Sequence, residues 1–128
     1  MIDVNYPFNR EDGPQVIADK LLKLYETAVH DTNRCIDAME LQRAARMLHH
    51  ASVIDIYTHA HNLNAAENFQ DKMLTIGRTV NCPKSFYKQR SAALAADQSH
   101  GAIVLSYSGK ATYIPPILKA LYQKKIPV

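Results

Sequence analysis

Cysteine is scarce in this 128-residue chain: Cys35 and Cys82 are the only two, and they share no metal-type spacing. A disulfide framework is thereby excluded as the organising device, and reduced thiols in a cytoplasmic setting are the expectation. No apolar run approaches the ~18 residues of a membrane span. The short, mixed segment 1–8 lacks the basic-then-apolar layout of a secretion signal. Repeats and low-complexity tracts are missing, which excludes a solenoid. A dense Lys/Arg cluster and a recognition-helix pattern are missing too, so the chain alone is not expected to read DNA.

What is present is ordinary for a globular protein, with 47% hydrophobic and 21% charged residues. A chain of this length makes one domain with a real core, or a piece of a larger one. The net charge of +3 hides an asymmetry. Residues 1–64 carry six Lys/Arg and nine Asp/Glu, a balance of −3, whereas residues 65–128 carry nine and three, a balance of +6. Lysines scattered over solvated helix faces give such a count, and so does a site for an anion.

Periodicity divides the chain. Residues 1–13 read as an extended arm with Pro7 and a Gly13–Pro14 break, and Pro14 suits a first helical position. Val16, Ile17, Leu21, Leu24, Tyr25 and Val29 recur at helical spacing to about His30. Residues 31–33 punctuate, a second helix runs to about Met39, and a third spans 40–50. Strands are expected at 53–57, 79–82 and 102–107, and helices at 63–76, 85–96 and from near Pro115 to Lys124. Residues 126–128 read as the opening of a fourth strand cut short. Edge pairing or exchange of the last helix would complete such a sheet.

The β-α-β-α-β-α order implies a parallel sheet with right-handed crossovers and strand order 2-1-3. The first and third strands then flank a topological switch point, where open α/β folds bind ligands. Its walls are 58–62 and 106–112. The most informative run, AIVLSYSG, ends at this crevice. Ala102, Ile103, Val104 and Leu105 suit a strand buried on both faces. Ser106 and Ser108 supply hydroxyls, and Gly109 lets the backbone turn N–H groups toward a phosphate or carboxylate. Pro115 and Pro116 delay the following helix, so free N–H groups of 108–113 are expected to form a nest. A polar turn that only ends a strand is the alternative.

Other constellations are weaker. His59-x-His61 lacks a nearby Asp, Glu or Cys to complete a metal set, so no metal is expected. His49 and His50 fall at a helix end, where capping is the reading. Ser106 and Ser108 have no nucleophile elbow. Asp55 sits inside a strand that should be apolar, facing either solvent or a polar pocket. Glu67 is the only carboxylate placed for acid–base work, with a surface role as its alternative. No catalytic residue and no cofactor are assigned.

Four segments in order, DVNYPF at 3–8, LQRAARMLHHASVIDIY at 41–57, AENFQDKMLTIG at 66–77 and SYSG at 106–109, resemble the sugar isomerase (SIS) domain. The likeness is closest to the carboxyl-terminal effector domain of RpiR-type bacterial transcription regulators. The resemblance implies a three-layer Rossmann-like fold over 14–128, with helices in 14–50 and a partial α/β core in 53–128. It also implies a phosphosugar effector, a homodimer, and DNA contact only through a helix-turn-helix domain outside this chain. It assigns ligand binding to His61, Asn62, Ser106, Tyr107, Ser108, Gly109 and Thr112, and leaves Ile17, Leu21 and Leu24 as candidate dimer contacts. The departures matter. The family's first loop is commonly Gly-x-Gly-x-Ser, whereas here it is Thr58-His59-Ala60-His61-Asn62. Ala111 stands where the second loop has Thr, and no acid follows Gly109. A sugar-phosphate isomerase fragment and a dimerisation module with a degenerate site are the alternatives.

Overall fold

Residues 6–128 are described in this computed structural model of the protein, and they form two units divided between Leu41 and Gln42. Residues 3–5 of the DVNYPF segment lie outside the described residues. In the first unit, the Asn9 N–H donates to Asp12 Oδ2 at 2.7 Å and the Asp12 N–H returns to Asn9 O, closing a turn. Lys20 reaches the same carboxylate at 2.5 Å, and this ammonium holds the Asp12 carboxyl below its usual range. Helix α1, Pro14–Cys35, starts with proline in its first turn, where the missing N–H costs nothing. Helix α2, Ala38–His50, follows.

Two helices, not three, therefore precede the first strand. Residues 31–33 do not punctuate: their side chains face solvent, and modest helix propensity is too weak to stop a helix already propagating. The break comes at Ile36–Asp37. There Asp37 Oδ1 accepts the N–H groups of Met39 and Glu40 at 2.9 and 3.2 Å, which starts α2.

The second unit is built on three parallel strands, β1 Val53–Tyr57, β2 Thr79–Asn81 and β3 His100–Val104, in order β2-β1-β3. Helices α3 Asn62–Thr75, α4 Phe86–Ala95 and α5 Ile114–Gln123 complete it. Side chains alternate across the sheet. Ile54, Ile56 and Val80 pack with Ala66, Phe69 and Met73 of α3 on one face. Tyr57 and Ala102 pack with Ala93 of α4 and Ile117 and Leu121 of α5 on the other. The result is helix, sheet, helix, with β1 central. Among the described residues, no helix is long and apolar enough to cross a membrane.

Strand β3 starts two residues before the expected position and ends three residues earlier. Gly101 lies inside it, not in a turn, because a Cβ there would meet Ala51 Cβ at 3.1 Å. Helix ends are closed by side chains and backbone alike. Arg78 donates through Nη2 to the carbonyls of Leu48, His49 and Ala51 at 2.9, 3.0 and 2.5 Å, capping α2. His50 Nδ1 adds a bond to Arg46 O at 2.7 Å. Lys124 caps α4 through the carbonyls of Leu94 and Ala96. Helix α5 ends in a Schellman pair, Ile126 N–H to Leu121 O and Lys125 N–H to Tyr122 O, with Lys125 at φ +59°. Beyond it, the Ala102 N–H donates to Pro127 O at 2.8 Å, so the segment after α5 runs along the outer edge of β3.

Candidate functional site

The carboxyl ends of β1 and β3 carry the two loops that wall the crevice. Thr58, fully buried, joins them: its hydroxyl donates to Leu105 O at 3.0 Å. Gln89 of α4, also fully buried, holds Thr58 from the other side. Its Nε2 donates to Thr58 O at 2.5 Å and to Pro83 O at 2.9 Å. The first loop thus hangs from β3 and α4 by side chains, where glycine-rich loops rely on backbone approach alone.

Ala60 has φ +53°, a left-handed conformation that an L residue with a Cβ resists. Glycine would adopt this conformation without strain. Ala60→Gly is expected to stabilise the protein by about 0.5–1 kcal/mol. Relief of ~1–2 kcal/mol of strain exceeds the added entropy of an unfolded glycine. Denaturant melts of the two proteins measure the difference, and a destabilised variant would contradict the strain argument.

His61 is the N-cap of α3 without a side-chain cap bond, and Asn62 is its first residue, half-buried. On the opposite wall, Gly109 adopts φ +68° and closes the Ser-Tyr-Ser-Gly turn. The nest expected over 108–113 is partly spent internally. Ser106 Oγ accepts the Gly109 N–H at 3.0 Å and Ser108 Oγ accepts the Lys110 N–H at 3.2 Å. Short hydroxyl side chains compete for nearby backbone donors, and here they win. Each hydroxyl keeps an O–H that can donate, in an exposed loop that also carries Lys110. Tyr107 is 99% exposed, and Thr112 is exposed as well. Among the described residues, no hydrogen bond joins His61 or Asn62 to Ser106, Ser108 or Thr112.

Three rings that sequence reasoning passed over as a group meet at the mouth. His59 lies 4.5 Å from Phe86, Phe86 stacks on Tyr113 at 4.6 Å with a 29° tilt, and His59 meets Tyr113 edge-on at 6.2 Å. His59 is thereby engaged with the Phe86 and Tyr113 rings. Gln89 was also missed, although a signal exists. It falls on the same helical face as Ala93 and Ala96, a polar residue on an apolar stripe.

Glu67 is bound by Lys84 at 2.5 Å, and this contact raises the Lys84 pKa. Cys82 sits half-buried beside them, its thiol pushed up by burial and then by the Glu67 charge. Asp55 faces a polar pocket. Its carboxylate is buried and accepts His100 Nδ1–H at 2.6 Å and Asn81 Nδ2–H at 2.9 Å, one partner from each neighbouring strand. The Tyr57 hydroxyl, two residues on, is buried without a partner; burial and then the Asp55 charge hold its pKa above the usual phenol range. These groups line the α4–α5 face of the sheet.

The geometry defines a parallel α/β domain with a pair of polar loops at the carboxyl ends of β1 and β3. Comparison with models of known protein families and with curated proteins found no match.

Proposed function

We propose that this chain is the phosphosugar-sensing effector and dimerisation module of an RpiR-like transcription regulator, acting in the cytoplasm through a separate helix-turn-helix domain. The observation that carries the reading is the pair of exposed hydroxyl residues, Ser106 and Ser108, on a turn closed by Gly109 at the carboxyl end of β3. That turn lies next to the start of α3, at the point where strand order reverses. A phosphate accepts from both hydroxyls and gains from the positive balance of this half of the chain. The isomerase alternative is disfavoured by the Glu67–Lys84 pair, which commits the only suitably placed carboxylate to an ion pair. A homodimer is supported by the apolar stripe Leu22, Tyr25 and Val29 on α1, each more than 60% exposed, which a second copy would cover. Ile17, Leu21 and Leu24 are less exposed than that stripe.

Phosphorylated sugars are expected to raise the melting temperature while their unphosphorylated parents do not. At a ligand concentration ~100 times the dissociation constant the gain is ~2.7 kcal/mol. Ser108→Asp should abolish the shift by like-charge repulsion. A panel in which no phosphosugar moves the melting temperature would overturn this reading in favour of a dimerisation module with a lapsed site.

A further inference from the structure

We propose that the His59–Phe86–Tyr113 cluster is a stacking platform beside the phosphate loop, and that it makes the site prefer phosphosugars held as closed rings over open-chain phosphates. The inference rests on the phosphosugar reading of the crevice and adds what recognises the rest of the ligand. The three rings come from three separate segments: the loop after β1, the first residue of α4 and the N-cap of α5. Their convergence at one rim is therefore a product of the fold and not of local sequence.

Each ring is held from its backbone. Ser85 caps α4 by accepting the Lys88 N–H, which fixes the helical start at Phe86. Gln89, one turn further, grips Thr58 O, and His59 is the next residue. Tyr113 precedes the rigid Pro115–Pro116 pair that opens α5. Yet the rings are not sealed into the core. Phe86 remains 47% exposed and His59 is exposed, so an apolar aromatic face is left at the entrance of a polar site. Tyr113 is half-buried, and that burial raises its pKa.

A closed sugar ring has one face of C–H groups that packs on an aromatic surface while its hydroxyls stay at the edge. With the phosphate on Ser106 and Ser108, such a ring covers the exposed face of the platform. An open-chain polyol phosphate presents no flat face and loses chain entropy on binding. Inorganic phosphate does not reach the rings at all.

The test compares three probes by calorimetry on the full chain. They are an anhydrohexitol phosphate whose ring cannot open, the matching hexitol phosphate with no ring, and inorganic phosphate. The ring-locked probe should bind about tenfold more tightly than the open one, the scale of a good aromatic contact. Phe86→Leu keeps apolar bulk and protects the fold; it should erase that preference while leaving inorganic phosphate affinity unchanged. Equal binding of the two hexitol compounds by the unaltered protein would overturn the proposal. So would a Phe86→Leu protein that loses affinity for all three probes alike, because the cluster would then only hold the loops in shape. Failure of the underlying reading has a different appearance: no phosphate of any kind binds, and both proposals fall together.

Discussion

His100→Ala is expected to cost about 3 kcal/mol of folding stability, the upper end of the range for leaving a buried acceptor without its donor. The Asp55 carboxylate is 1% exposed and receives its shorter hydrogen bond, 2.6 Å, from His100. Without the imidazole the carboxylate keeps Asn81 Nδ2–H at 2.9 Å and loses its shorter bond. The partial exposure of His100 lets water approach the gap, which limits the loss. Urea melts should show a lower midpoint with an unchanged slope. Asp55→Asn combined with His100→Ala should cost less than the sum of the single changes, because the orphaned charge is gone. A cost below about 0.5 kcal/mol for His100→Ala would mean that Asp55 is fully satisfied by other means.

Gln89→Leu should be nearly as damaging, at about 2–3 kcal/mol, despite conserving volume. The Gln89 amide is fully buried and its two N–H groups serve the carbonyls of Thr58 and Pro83. Leucine fills the space but leaves both carbonyls without that donor, and each lost partner costs about 1–1.5 kcal/mol. The effect should reach the site as well. Thr58 is the residue from which the first loop hangs, so phosphosugar affinity should fall along with stability. A destabilised Gln89→Leu protein with undiminished affinity, measured by calorimetry well below its melting temperature, would show that the first loop does not depend on this tether.

Much of the architecture was legible because it rests on local pattern. Val53–Tyr57 was expected and found with the same bounds, and the helix expected over 63–76 is found as Asn62–Thr75, with Gly77 just past it at φ +74°. Pro14 was placed correctly as a helix opener. The β-α-β alternation made a parallel sheet legible, and the order β2-β1-β3, expected if the second and third strands flank the first, is the one found. The errors occurred where a distant contact outweighed a local preference. Gly101 looks like a turn residue until Ala51 is seen 3.1 Å from its missing Cβ. Residues 31–33 look like a stop until the helix that runs through them is seen. The partners of Asp55 depend on register between strands separated by many residues, and no window of sequence contains them. The same holds for His59, Phe86 and Tyr113. The hydroxyls of Ser106 and Ser108 were legible as chemistry, but their use of the Gly109 and Lys110 N–H groups depends on a turn geometry that composition does not specify.

The bridge through Asp55 bears on how the chain avoids assembling wrongly. Strand β2 has only three residues, Thr79, Val80 and Asn81, and a single buried side chain fixes its register weakly. A slip of one position turns every side chain of the displaced strand to the opposite face. Displacing β2 would carry Asn81 away from Asp55, and displacing β3 would carry His100 away, each time leaving the carboxylate short of a donor inside the sheet. Apolar neighbours cannot impose this penalty, since one aliphatic side chain substitutes for another at little cost. A single acid in the central strand therefore checks the alignment of both its neighbours. The loops that follow β1 and β3 inherit that alignment, and with it their spacing across the crevice.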